Sequence, residues 1–191
     1  MMPDLRDLLA SLVGERPSLL FSLLLLVHVP AGLLSVVTGV VAMRSKQRPG
    51  RHPRFGEVYC WGLAVVFATA TGMAVLRWQE DAYLLVLGAL SFGLGSIGYA
   101  ARKVRWPGWM TFHITSMSLS YIVLLTAFYV DNGPRLPLWD RLPPIGFWVG
   151  PSLIGLPLLA RALPRHTRVL GDLRATTSSL HRKAFLRASN S

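Results

Sequence analysis

Five long stretches of the chain carry no Asp, Glu, Lys or Arg: Ser18–Met43, Val58–Leu76, Ala82–Ala101, Trp106–Val130 and Leu142–Ala160. A helix rises about 1.5 Å per residue, so roughly 20 apolar residues cross a hydrocarbon core of about 30 Å. Each run is near or above that length. The pattern predicts an all-α fold, a polytopic membrane helix bundle with five transmembrane helices in one domain over residues 18–162. Residues 1–17 read as an external amphipathic helix and linker, and 163–191 as a basic cytoplasmic tail. Pro3–Asp4 is a helix-start signal, and Leu5, Leu8, Leu9, Leu12 and Val13 recur with helical spacing before Gly14 and Pro17. This spacing predicts a short surface helix over residues 4–14, ended by Gly14 and Pro17. The leader carries Asp4, Asp7 and Glu15 and lacks the positive start of a signal peptide.

The charges between the runs are sorted by sign. Arg44, Lys46, Arg48, Arg51 and Arg54 follow the first run, Arg102, Lys103 and Arg105 follow the third, and the arginine-rich tail follows the fifth. The alternate ends carry Asp4, Asp7 and Glu15, then Glu80 and Asp81, then Asp131 and Asp140, against scattered arginines. Lys and Arg beside spans stay cytoplasmic, which predicts the N-terminus outside and the C-terminus inside a prokaryotic inner membrane. The net charge of +11 raises the question of nucleic acid. Nucleic-acid binders gather basic residues on one folded face. Here Arg44, Lys46, Arg48, Arg51, Arg54, Arg102, Lys103 and Arg105 flank apolar spans, where topology and contact with anionic lipid headgroups account for them. The partner implied is the bilayer, and nucleic acid is excluded.

Membrane helices associate through small residues that let backbones approach. Gly32, Ser35, Gly39 and Ala42 form such a stripe in the first span, Ala64, Ala68 and Gly72 in the second, and Gly88, Ser91, Gly95 and Gly98 in the third. Pro151 and Pro157 predict a kinked, partly irregular fifth span. A faint internal repeat links Ala42–Gly50 (AMRSKQRPG) with Ala101–Gly108 (ARKVRWPG), as two helical hairpins of the same orientation would give.

Candidate chemistry comes down to histidines. Cys60 is the sole cysteine, so no intrachain disulfide or cysteine cluster forms. No carboxylate, Lys or Arg lies inside the five runs, which disfavours a carboxylate proton relay. His28 continues the stripe of the first span, His113 heads a polar stripe with Ser116 and Ser120, and His52 lies in the first basic loop. The plain reading is a neutral imidazole hydrogen-bonded to a neighbouring helix. The sharper one is a cofactor site drawn from His28, His52 and His113. Depth opposes a haem between His28 and His113: His28 is about 22 Å from the inner end and His113 about 10 Å. His52 and His113 match better. With Glu57, or the hydroxyl of Tyr59, they form a candidate ligand set for a first-row metal, while the surrounding arginines suit an anionic headgroup, a phosphate or a haem propionate.

His28, the loop His52-Pro53-Arg54-Phe55-Gly56-Glu57-Val58-Tyr59, His113 and the stretch from Ser120 to Pro134 together resemble a known family. It is a prokaryotic family of predicted membrane proteins of unknown function, with a His-Arg-x-x-Gly-x-x-Tyr loop and intramembrane histidines. The resemblance covers most of residues 20–162, with Pro53 where that family carries Arg. It implies a multi-helix membrane fold and highlights the three histidines, and it names no substrate. The functional expectation is a redox-associated membrane protein with a cytoplasm-facing histidine site for haem, a transition metal or quinone. The alternatives are a non-catalytic subunit or assembly factor packed on a larger membrane complex, a homo-oligomer, and a small carrier with a polar cavity at His28.

Overall fold

A computed structural model of the protein describes residues 5–45, 50–136 and 142–163, with side chains from residue 19 onward. These residues are helical throughout, with no strand among them. The helices are α1 (Leu5–Arg44), α2 (Arg51–Leu76), α3 (Trp78–Val104), α4 (Trp109–Asn132) and α5 (Pro144–Leu163), with one 3-10 turn at Gly133–Arg135. Five of them hold stretches long and apolar enough to cross a membrane, the first of these being Leu19–Arg44 within α1. The helix boundaries follow the sequence signals. Gly50 and Gly108 precede α2 and α4 with φ of 132° and 77°, a region that only glycine enters readily. Acidic Glu80 and Asp81 sit in the first turn of α3, and basic Arg102 and Lys103 in its last, complementing the helix dipole.

α1 to α4 form two antiparallel hairpins, α1–α2 and α3–α4, packed side by side. Tyr59, Leu63, Tyr121 and Leu124 make the core between them. Tyr121 lies against Gly39 of α1, and its hydroxyl donates to the Val36 carbonyl at 3.2 Å. α5 closes onto the second hairpin, with Phe147 against Gly133, Gly155 against Ile122, and the Trp148 ring 6.3 Å from Tyr83. The outer surface is apolar: Leu26 is 69% exposed, Trp61 70% and Ile154 70%. Such a continuous apolar surface suits hydrocarbon, because a water-soluble monomer rarely exposes a large contiguous patch.

Several expectations are corrected, among them the loop expected to hold His52 to Glu57, which is the first part of α2. α1 runs unbroken through Gly14 and Pro17 for 40 residues, so the short helix expected at 4–14 is the first part of one long helix. Proline forfeits a single hydrogen bond, and helix extending on both sides of it carries the backbone through. α5 is likewise helical through Pro151 and Pro157, since transmembrane helices re-satisfy the groups that proline frees. In α2 the packed face is Tyr59, Gly62, Leu63, Val66, Thr69, Ala70, Met73 and Ala74, while Ala68 is exposed. The Ala64–Ala68–Gly72 row therefore divides: Ala68 faces outward, while Gly72 packs against Leu24 of α1. The third stripe holds: Ser91, Gly95 and Gly98 are buried, and Gly88 lies 3.8 Å from Phe67 by its missing Cβ. In α1 Ser35, Gly39 and Ala42 are buried, whereas Gly32 faces open space. The basic tail, Lys46 and Arg48 lie outside the described residues.

The faint repeat has a structural counterpart. Both Pro-Gly pairs end in a positive-φ glycine that starts the second helix of a hairpin. Each hairpin also closes on a Ser–Gly contact, Ser35 against Gly62 in the first and Ser120 against Gly95 in the second.

A histidine pair at the basic end of the bundle

The C-terminal ends of α1 and α3 and the N-terminal ends of α2 and α4 meet at one end of the bundle, the end that carries the basic residues. His52 is the second residue of α2 and His113 the fifth of α4. His52 donates from Nδ1 to the Ala42 carbonyl of α1 at 2.8 Å. His113 donates from Nδ1 to the Gly98 carbonyl of α3 at 2.8 Å. A carbonyl only accepts, so in each neutral ring the proton sits on Nδ1 and Nε2 keeps a lone pair. Each histidine thereby latches the helix that precedes its own loop. His113 and its acceptor Gly98 both sit three residues deeper than the positions matching His52 and Ala42, counted from Gly108 and Ala101.

The two imidazoles face one another edge to face, with ring centroids 6.2 Å apart and planes at 80°. Two Nε2–metal bonds of about 2.0–2.1 Å plus the two ring radii come to roughly 6 Å, so the separation matches two ligands on one ion, and the edge-to-face rings would have to turn both Nε2 edges toward it. An Nδ1–H held by a carbonyl is also the usual support of a ligating histidine, because it fixes the tautomer and the ring plane. Glu57 is exposed and does not complete the set: among the described residues no three of His, Cys, Asp and Glu come together to hold a metal ion. Glu57 precedes Tyr59 by two residues, which on a helix turns it about 200° away from the packed face.

The pair stands on a rigid base. His52 meets His113, the Tyr59 hydroxyl meets Ser120 Oγ at 2.8 Å, and Leu63 and Leu124 share the core, all at a separation of 61 residues. α2 and α4 therefore run parallel in one fixed register. Ser120 Oγ donates to the Ser91 carbonyl at 2.8 Å and Ser91 Oγ donates back to the Ser120 carbonyl at 2.9 Å. With its own proton committed, Ser120 Oγ accepts from Tyr59. This buried network ties α2, α3 and α4 together about two turns beneath the histidines, and Ser116 is buried between the two levels. The sequence flagged Ser116 and Ser120 as a stripe below His113. It did not flag Tyr59 or Ser91 as partners of Ser120, because contacts between spans leave no local pattern.

Around the imidazoles, Arg44, Arg51, Arg54, Lys103 and Arg105 are exposed, while Arg102 is half-buried. Lys103 lies over the Tyr99 ring at 5.3 Å and Arg105 over Trp109 at 5.8 Å. Trp109 in turn stands 6.3 Å from His113.

His28 is elsewhere. It sits about four turns before Ala42 on α1 and donates from Nδ1 to Thr69 Oγ1 at 2.8 Å, while Thr69 donates to the Val65 carbonyl at 2.8 Å. The structure thus brings His52 and His113 together and leaves His28 on a separate α1–α2 contact. No family model, no curated protein and no solved structure matches the chain.

Proposed function

We propose that this is a redox-associated multi-pass protein of the prokaryotic inner membrane, with Met1 outside and Ser191 in the cytoplasm, whose His52–His113 pair holds a haem or a transition-metal ion at the cytoplasmic end. One observation carries the reading. Two half-buried imidazoles on different hairpins have their Nδ1 protons fixed on carbonyls, and their rings stand 6.2 Å apart. Free lone pairs at that spacing suit a metal centre. They also suit the hydroxyls of a quinol, which donate to an unprotonated nitrogen. Belonging to the family with the His-Arg-x-x-Gly-x-x-Tyr loop is part of the same proposal: His52 and Tyr59, two turns apart on α2, face His113 and Ser120 of α4 in one register.

The orientation rests on the charge at the end where the pair sits. Reporter fusions near Gly50 and Gly133 should read cytoplasmic and external respectively, and the reverse pattern overturns the topology. The function is tested by metal analysis and visible absorbance of gently solubilised protein. A stoichiometric metal or a haem band that disappears in His52→Ala and in His113→Ala supports it. A clean spectrum with stably co-purifying membrane proteins instead supports a non-catalytic subunit of a larger complex.

A further inference from the structure

We propose that Gly56 leaves a gap beside the His52–His113 pair that admits a flat ring, so that the ligand held there is a planar ring compound whose size Gly56 sets. The inference deepens the histidine-site reading and rests on it. Gly56 lies one turn after His52 on α2 and one turn before Tyr59. At 100° per residue it is about 40° around the helix from His52, 60° from Tyr59 and 20° from Leu63. Those three residues define the face that α2 turns to its neighbours: His52 meets His113, the Tyr59 hydroxyl meets Ser120, and Leu63 lies against Gly95. A Cβ built on Gly56, in the middle of that face, would meet no atom within 4 Å. In the register that pairs Tyr59 with Ser120, the residue of α4 opposite Gly56 is Met117, whose side chain lies against Gly98 of α3 instead. α2 and α4 touch one turn before Gly56 and one turn after it, so the open space lies inside their junction.

Neither backbone geometry nor packing calls for a glycine here. Gly50 and Gly108 have positive φ, and Gly56 does not. Gly39, Gly95 and Gly98 let a neighbour come so close that a Cβ would lie within 2.8 Å of it. Inside a helix, glycine is less favourable than alanine because it gives up more backbone freedom on folding. At position 56 that loss is matched by room alone, and the half-buried position keeps the room within reach from outside the bundle. Four residues rise about 6 Å, which puts the space beside whatever the two imidazoles hold. A bare metal ion between the Nε2 atoms leaves it unused. A porphyrin around the ion extends into it, as does the ring of a quinol whose hydroxyl donates to Nε2. Backbone without a side chain lets a flat ring approach closely.

The test uses the full chain in nanodiscs, titrated with haemin, with duroquinol and with Co2+. Soret absorbance, tryptophan fluorescence and the visible band of bound Co2+ report the three. Wild type should bind haemin or duroquinol, and which of them it binds names the ring. Gly56→Leu fills the gap and should weaken that ligand by about tenfold or more, as overpacking does, while Co2+ behaves as in wild type. Gly93→Leu, at another helical glycine that meets nothing within 4 Å, should change none of the three. Thermal unfolding of Gly56→Leu should not fall below wild type, in contrast to Gly95→Leu. If wild type binds Co2+ and neither ring compound, the pair is a bare-ion site: the gap is overturned and the histidine site stands. If Gly56→Leu binds the ring compound as wild type does, loses Co2+ equally, or unfolds as early as Gly95→Leu, the gap is overturned as well. If wild type binds none of the three, the histidine site and the gap fall together.

Discussion

The two hairpins use one device in two settings. In each, a histidine near the start of the second helix grips a carbonyl near the end of the first, and a Ser–Gly contact lets the helices close. The surroundings differ. α3 is packed on two sides, with Leu63 of α2 and Ser120 and Met117 of α4 against its glycines. α1 presents mostly exposed apolar side chains, and its one buried row faces α2 and Tyr121. A latch on α3 thus holds an element already fixed by its neighbours, whereas the latch on α1 holds a peripheral helix to the bundle. The shared geometry brings two imidazoles together, and the unequal packing decides what each further change disturbs.

The comparison is broken most sharply at the histidines. If the hairpins contribute equally to one site, His52→Ala and His113→Ala should each lower the affinity for the bound species by more than about 100-fold, beyond what loss of an outer-shell partner costs. The double variant should then add little, because groups acting as a unit are non-additive. Equal and additive effects, measured by ligand titration, mean that the hairpins act separately.

Packing comes next. Gly95→Leu should destabilise the protein by about 1–3 kcal/mol, since its Cβ position is 2.8 Å from Leu63 and 3.2 Å from Ser120 Oγ. Gly32→Leu meets open space and should be mild. Leu90→Phe, at a side chain 52% exposed, should be mild as well. Thermal unfolding in detergent checks the ranking, and similar values for Gly95→Leu and Gly32→Leu would remove the contrast between α3 and α1.

Ser120→Ala should cost about 1–2 kcal/mol, because it leaves the Tyr59 hydroxyl and the Ser91 carbonyl without the partner they share. It should also loosen ligand binding, as the register of α2 against α4 holds the histidines. Unfolding and titration of the same variant show whether stability and affinity fall together.

The smallest effect belongs to His28→Ala, about 0.5–1.5 kcal/mol from one lost hydrogen bond to Thr69, with ligand affinity unchanged. A change in affinity would join His28 to the site from which its position separates it.

The sequence by itself determined the class of this fold. Five uncharged runs demand an apolar surrounding, and sorted basic residues mark one end of the bundle, because both properties add up along a single chain and need no partner to be read. It also marked the third span as an interface, since Ser91, Gly95 and Gly98 recur at the period of one helix face. It paired His52 with His113 from depth alone, a quantity that the helical rise supplies. Only the tertiary structure decided which nitrogen each histidine keeps free, because that depends on the Ala42 and Gly98 carbonyls of other helices. It turned Glu57 away from the pair. It also carried α1 through Gly14 and Pro17, where local signals predicted an end, and kept α5 helical through two prolines, where they predicted irregular backbone. A local stop signal costs a few kcal/mol, at about 3 for proline; in α5 an apolar helix in a low-dielectric setting outweighs it by keeping its backbone groups paired, and in α1 helix propagating from both sides does.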